Sequence, residues 1–113
     1  MTLPEWITRY TARAEPFLPP AGYLTYYEPT QGFFLWRVFG NVFDIDAVCT
    51  NDWKKMYEVM NEMAKVRGCK ILRTVTFHKP ASFMRMLKTT PNLSLSGIRS
   101  NGKMYWCMEK LVK

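Results

Sequence analysis

The chain has 113 residues, of which 48% are hydrophobic and 15% aromatic, and its formal net charge is +7. This length and composition can bury one core without disulfide or metal staples, which excludes global disorder and predicts a single domain over residues 1–113. No apolar run approaches the ~18 residues that a membrane span needs. The first ten residues lack the basic start and apolar middle of a secretory signal, so we predict a cytoplasmic protein without a membrane partner.

The positive charge favours a negatively charged partner. Nucleic acid, an acidic protein surface and a phosphate-bearing cofactor all fit that charge. The basic residues are scattered along the chain without a continuous tract, so the sequence does not choose among the three.

The cysteines and the histidine predict no metal site. Cys49, Cys69 and Cys107 are widely spaced and form no paired motif, and His78 is the single histidine. A four-ligand zinc site would therefore need carboxylates in addition. We expect three reduced thiols in apolar surroundings.

The N-terminal segment predicts a helix. Thr2 can cap it, Pro4 suits its first turn, and Glu5 stands where the second half of a capping box belongs. The helix should end before Pro16.

Three strands should follow in a meander. The segments Tyr23–Glu28, Phe33–Phe39 and Val42–Cys49 are rich in aromatic and β-branched residues. Gly40 and Asn41 fit a two-residue hairpin turn in which glycine takes the positive φ.

A long helix and a parallel strand come next. Asp52 should cap the helix, Gly68 should end it, and Lys70–Phe77 reads as a strand. A strand–helix–strand unit predicts that Val42–Cys49 and Lys70–Phe77 run parallel. The helix has an apolar stripe at helical spacing: Trp53, Met56, Tyr57, Met60, Met63 and Ala64.

The last third predicts a short helix and a hairpin. Pro80–Lys88 is the helix, and Leu93–Ser100 and Lys103–Val112 are strands joined by Asn101 and Gly102. The fold class is therefore α/β, an α+β mixed sheet in the order helix–β–β–β–helix–β–helix–β–β. We predict a core that includes Phe34, Trp36, Phe43, Ile45, Met56, Met60, Ile71, Val75, Phe83 and Trp106.

This order resembles the GNAT N-acetyltransferase superfamily over residues 21–112. In that family a meander leads to a helix whose N-terminus receives the pyrophosphate of acetyl-CoA, and a parallel strand, a helix and a hairpin follow. The stretch from His78 to Lys88 looks like the family's late helical segment. One N-terminal helix takes the place of the strand and helix pair that usually precede the meander.

Two departures from the family pattern argue against efficient catalysis. The turn before the long helix, residues 50–53, has neither the glycines nor the arginine that the resemblance implies, and Asp52 places a negative charge there. The tyrosine that often acts as general acid in the late helix has no match, because Phe83 or Met84 stands in its place.

Several residues remain candidates for chemistry. The resemblance implies a general base at Asp44 or Asp46, with a solvated strand face as the alternative, and two carboxylates at this spacing are also half of a hard-cation site. His78 follows a strand end, where ligands bind in α/β sheets, and is a candidate acid–base group, with capping or packing at the strand–helix joint as the alternative. If acetyl-CoA binds, its contacts should come from Val48, Cys49, Thr50, Asn51, Asp52 and Trp53.

Three functions follow as hypotheses. The first is a catalytically degenerate GNAT-like protein that acts by binding, directed at a host or housed in a virion, in the style of phage and mobile-element proteins, with no cofactor. The second is an active acyl-CoA-dependent N-acetyltransferase that uses acetyl-CoA. The third is a basic nucleic-acid-binding module. Whether the chain is an enzyme stays open at this point.

Overall fold

The computed structural model describes residues 1–77, 80–99 and 102–113. These residues form three helices and six strands in the predicted order. The elements are α1 Leu3–Arg13, β1 Leu24–Glu28, β2 Gly32–Phe39, β3 Val42–Thr50, α2 Trp53–Val66, β4 Ile71–Thr76, α3 Pro80–Leu87, β5 Thr90–Ile98 and β6 Met104–Leu111.

All six strands belong to one mixed sheet in the order β1-β2-β3-β4-β6-β5. The neighbours are antiparallel except β3 and β4, which run parallel as predicted. The parallel pair is joined by α2, so the strand–helix–strand interpretation is confirmed.

Local signals account for most element ends. Thr2 and Glu5 form the predicted capping box, and Asp52 caps α2 by accepting the backbone N–H of Lys55. Gly40 has the expected positive φ of 60° in the β2–β3 turn, and Gly68 has 71° after α2. The predicted Asn101 turn lies outside the described residues. β5 begins three residues earlier than predicted and includes Pro91, which an edge strand tolerates.

Two apolar clusters cover opposite faces of the sheet. The helices α2 and α3 pack on one face, where Phe34, Phe43 and Met60 are fully buried. Helix α1 packs on the other, where Trp6 and Phe33 are buried. The molecule therefore has three layers, with the sheet in the middle.

The burial of β4 differs from the prediction. Ile71 and Val75 are half-buried, whereas Leu72 and Thr74 are fully buried. Helix α2 packs over the face of Leu72 and Thr74, because β3 presents Phe43 on that side. The apolar side chains of β4 occur on both faces, so alternation alone could not choose between them.

The two predicted core tryptophans are also only half-buried. Trp36 stacks on Phe43 at 5.3 Å on one side, and the Arg67 guanidinium lies 4.4 Å over it on the other. Trp106 packs against the edge of the α2/α3 cluster. The other predicted core residues are buried: Phe34, Phe43, Ile45, Met56, Met60 and Phe83.

The described residues contain no helix long and apolar enough to cross a membrane. All three cysteines are buried and free, as predicted. Burial raises the pKa of the Cys107 thiol to about 11, which keeps it protonated at neutral pH.

The stripe of α2 gives a direct test of the core. Met60→Ala should lower the free energy of unfolding by about 2–5 kcal/mol, because it leaves a cavity under a side chain with 0% exposure. Val66→Ala on the same helix, where Val66 is 81% exposed, should change it by less than about 0.5 kcal/mol. Urea denaturation measures both, and equal effects would show that the stripe was misassigned.

Candidate functional site

A cleft opens between the two parallel strands. Among the described residues, β3 and β4 pair at three positions, the last of which joins Asp44 to Arg73. Beyond that point the strands continue to Thr50 and Thr76 without pairing to each other. The carboxyl ends of the two strands therefore border a gap in the sheet, which is where ligands enter α/β folds.

A β-bulge in β3 shapes one wall of the cleft. Phe34 pairs with Val48 and Trp36 pairs with Ile45, so two residues of β3, Asp46 and Ala47, oppose one residue of β2. A bulge bends the strand and changes the face to which the following side chains point. Regular alternation would place Ala47 on the same face as Ile45. Instead, Ala47 packs in the α1 cluster and Val48 packs towards α2.

The inner part of the cleft is narrow and mostly apolar. Tyr10 and Ala14 come from the α1 side, Val48 from β3, Trp53 from the start of α2, and Phe77 from the end of β4. The two connected hollows have volumes of about 60 Å³ and 20 Å³. Without rearrangement, this space admits a small group such as an acyl moiety and excludes a bulky ring system.

Asp46 stands at the outer edge of this cleft. Its side chain is 21% exposed and its Oδ1 lies 3.8 Å from a guanidinium nitrogen of Arg99. Burial raises the pKa of the Asp46 carboxyl, and the positive charge of Arg99 opposes that shift. A carboxylate with this environment can accept a proton more readily than a solvated aspartate, which is what a general base requires.

A second carboxylate competes for the same arginine. Arg99 makes an ion pair of 2.6 Å with Glu15, and the hydroxyl of Tyr10 donates a hydrogen bond to Glu15 at 3.2 Å. Burial and the nearby Glu15 charge raise the pKa of Tyr10 well above its ordinary value. An open depression of about 300 Å³ adjoins this group, lined by Glu15, Pro16, Leu18, Pro20, Asp46 and Arg99.

The carboxylate of Asp44 is held in place by hydrogen bonds within the protein. It is buried, and its Oδ2 accepts hydrogen bonds from the Tyr23 hydroxyl at 2.8 Å and from Arg37 Nε at 3.2 Å. The guanidinium of Arg37 in turn lies 4.9 Å over the Tyr23 ring. With two donors fixed on it, Asp44 is a less accessible base than Asp46. Neither aspartate lies on the open strand face that was the alternative.

The turn before α2 is closed by its own side chains. Thr50 Oγ1 accepts the backbone N–H of Asp52 at 3.0 Å, and Asp52 Oδ1 accepts that of Lys55 at 3.1 Å. Asn51 binds back to the β1–β2 turn through its N–H to Gln31 and its amide to Thr30. Four of the predicted cofactor contacts line the cleft: Val48, Cys49, Thr50 and Trp53. The side chains of Asn51 and Asp52 instead form hydrogen bonds that stabilise the turn and the start of α2.

Helix α3 has no proton donor at the position where the GNAT family often has a general-acid tyrosine. Phe83 is buried and packs edge-to-face on Trp53 at 5.0 Å, and Met84 is 40% exposed. The candidate His78 lies outside the described residues. Among the residues that the structure describes, no group of three His, Cys, Asp or Glu side chains could hold a metal ion, so Asp44 and Asp46 stay without further ligands.

Several solved structures are similar in fold to this chain. The Ard1 protein of Thermoplasma volcanium is 12% identical with a TM-score of 0.63, over 97% of this chain and 93% of that one. The ribosomal-protein-S18-alanine N-acetyltransferase of Escherichia coli is 10% identical with a TM-score of 0.62, over 100% of this chain and 91% of that one. No protein-family model and no curated protein matches the chain.

The chain has a GNAT-like fold. At these identities the likeness shows the fold alone, and it confirms the predicted class and the order of elements.

Sequence reasoning missed Glu15, Arg99, Tyr10 and Tyr23. Glu15 and Arg99 are 84 residues apart in the chain, and Tyr23 and Asp44 are 21 apart. No local motif marks them. The Glu15–Arg99 contact exists because α1 and the β5–β6 hairpin both lie against the same side of the open cleft.

The raised pKa of Asp46 predicts how stability depends on pH. The folded chain holds the Asp46 proton to higher pH than the unfolded chain, so this group's contribution is lost as pH rises through its folded pKa. Asp46→Asn keeps that contribution. The stability of the variant relative to wild type should therefore increase from acidic to neutral pH.

Urea denaturation at a series of pH values measures this difference. Glu58→Gln, at an exposed position on α2, is the control for the change in net charge alone. A constant difference between Asp46→Asn and wild type across the series would contradict the assignment of a raised pKa.

Proposed function

We propose that the chain is a GNAT-fold protein that acts by binding and does not use acetyl-CoA efficiently. The fold has an open cleft between parallel strands, and the start of α2 beside it is partly capped by the side chains of Thr50 and Asp52. A role directed at a host or inside a virion belongs to the same proposal and rests on the sequence resemblance alone.

The start of α2 is the observation that carries this proposal. A helix N-terminus binds phosphate when its free backbone N–H groups point at the ligand. Here the N–H groups of Asn51, Asp52 and Lys55 are donated within the protein, which leaves those of Trp53 and Lys54 as the free donors of the first turn among the described residues. The carboxylate of Asp52 also places a negative charge where a pyrophosphate would approach, which opposes an anion by about 0.3–1 kcal/mol.

The late helix supports the same conclusion. Neither Phe83 nor Met84 can donate a proton to a departing thiolate. Loss of a positioned general acid typically lowers a rate by about 10²–10⁴. Even a bound cofactor would then react slowly.

Two variants of Asp52 distinguish the effect of its negative charge from the effect of its hydrogen bond to the backbone N–H of Lys55. Asp52→Asn removes the negative charge and keeps a side-chain cap, whereas Asp52→Gly removes both. We expect no low-micromolar binding of acetyl-CoA to wild type, and binding about two- to fivefold tighter in each variant than in wild type from the lost repulsion. The gain should be larger in Asp52→Gly, because it also frees the N–H of Lys55.

Isothermal titration with acetyl-CoA measures these affinities. Low-micromolar binding to the wild-type chain would overturn the proposal. Unchanged affinity in both variants would show that the start of α2 does not meet the ligand.

A second candidate is an active N-acetyltransferase, which the environment of Asp46 favours. Asp46 combines a raised pKa with a position beside both the narrow cleft and the wider depression. A base at this point could take a proton from an amine that enters through the depression while an acyl group lies in the cleft.

This candidate predicts measurable release of free CoA when the chain is mixed with acetyl-CoA and a panel of amines. Asp46→Asn should then abolish release with little effect on cofactor affinity, while Glu58→Gln should leave it unchanged. Release that survives in Asp46→Asn would exclude Asp46 as the base.

A further inference from the structure

The positive charge of this protein is concentrated on one side of its sheet. Among the described residues, the side covered by α2 and α3 carries nine of the 15 Lys and Arg residues but three of the nine Asp and Glu residues. The nine cations are Lys54, Lys55, Lys65, Arg67, Lys70, Arg85, Lys88, Lys110 and Lys113. The three acids are Asp52, Glu58 and Glu62.

The two sides also differ in how their cations are paired. On the α1 side, Arg37, Arg73 and Arg99 each form an ion pair with a carboxylate, at 3.2, 2.8 and 2.6 Å. On the α2/α3 side, Lys65 is the one cation with a carboxylate partner among the described residues, and its distance to Glu62 is 3.9 Å. Three cations of the α1 side are therefore neutralised by carboxylates at short distance, whereas the α2/α3 side has one longer pair among its described residues.

Six of these cations gather at one end of the molecule, here termed the basic end. Its members are Lys65, Arg67, Lys70, Lys88, Lys110 and Lys113. Lys65, Lys70 and Lys113 line one shallow depression of about 480 Å³. The pairing of Leu72 with Lys110 and of Thr90 with Glu109 places the starts of β4 and β5 at this same end.

The basic end is far from the candidate cleft. Strands β3 and β4 are hydrogen-bonded beside Lys70, at Val42–Asp44 and Ile71–Arg73, and they separate towards the opposite end of the sheet. A ligand of the basic end would therefore not use the cleft, and this inference is independent of the function proposed above.

The positions of the aromatic residues indicate whether a nucleic acid would be bound through its phosphate backbone or by stacking of its bases. Trp36 lies under Arg67, and Tyr57 is buried beneath Lys110. Of the exposed aromatic residues of the described chain, Tyr27 and Phe77 belong to other parts of the surface, and Phe39 lies at this end of the sheet but on the α1 side, against Arg37. Single-stranded nucleic acids are usually bound by stacking on exposed rings, and the α2/α3 side of the basic end has no such platform among its described residues.

We propose that the basic end binds the phosphate backbone of double-stranded nucleic acid, without reading its sequence. Neighbouring Lys and Arg side chains, of which Lys65 alone has a carboxylate partner among the described residues, suit rows of phosphates, and binding of this kind is driven by release of counterions. An acidic protein surface is the alternative partner of the basic end, and the experiment must distinguish it from double-stranded nucleic acid.

The test is fluorescence anisotropy of a labelled, mixed-sequence DNA duplex at a series of salt concentrations. If about four phosphates are neutralised, the logarithm of the binding constant should fall with the logarithm of salt concentration at a slope of about −4. Lys70→Gln with Lys88→Gln should reduce that slope by about 2 and raise Kd about tenfold or more at low salt.

A matched control removes the same charge from the other side. Arg9→Gln with Lys103→Gln gives the same net charge, and both positions lie on the α1 side. This control should bind nearly as wild type does. Lys65→Gln with Lys113→Gln provides a second pair on the basic end should the first pair fail to fold.

Three results would overturn the proposal. One is the absence of duplex binding at low salt. Another is equal weakening in the basic-end pair and the control pair, which would reduce the effect to net charge. The third is competition by polyglutamate as effective as competition by unlabelled duplex, which would assign the surface to an acidic protein.

Discussion

The short pairing between β3 and β4 is the constraint on which the candidate site depends. Three residue positions hold the two halves of the sheet together, and the apolar clusters on both faces hold the strands in place beyond them. An open gap between strands leaves backbone groups without a ladder partner, which is costly unless solvent or a ligand reaches them. The gap is therefore a natural place for a ligand in this fold.

The bulge at Asp46 and Ala47 is coupled to that gap. Ile45 must face the α2/α3 cluster, while Ala47 and Cys49 must face the α1 cluster. Regular alternation would keep all three on one face, so the strand needs one extra residue to change faces. The residue at that change is Asp46, which explains why a carboxylate lies at the edge of the cleft and not within a regular strand face.

Much of the fold was predictable because its signals are local. Caps such as Thr2 and Asp52, glycines such as Gly40, and the stripe of α2 act within a few residues of themselves. The predicted burial of β4 was wrong because Ile71 and Leu72 are equally apolar, and the packing of α2 determines which of the two is buried. The bulge was missed for a related reason, since it is visible only in the register between β2 and β3.

The candidate site was predictable only in part. The i, i+2 spacing identified Asp44 and Asp46, but their difference depends on their partners: Tyr23 and Arg37 bind the first, and Arg99 is shared by Glu15 and the second. Arg37 lies directly across the β2–β3 hairpin from Asp44. The Glu15–Arg99 pair follows from how helix α1 and the last hairpin dock, which a single sequence does not encode as a motif. The order of elements resembled a known fold, whereas the state of each carboxylate required the assembled structure.

Electrostatics then separates the two ends of the molecule. The cleft end presents the carboxylates of Glu15 and Asp46 against Arg99, together with Asp52 at the start of α2. Capping by Asp52 stabilises α2 by about 1 kcal/mol, and the same charge disfavours an approaching anion. Lys54 and Lys55 follow Asp52 at this end, but the six cations of the basic end lie at the other, where a polyanion would meet attraction without crossing these acids. Screening at physiological salt confines such fields to about 8 Å, so two sites at opposite ends of a molecule 32 Å long act on their ligands separately.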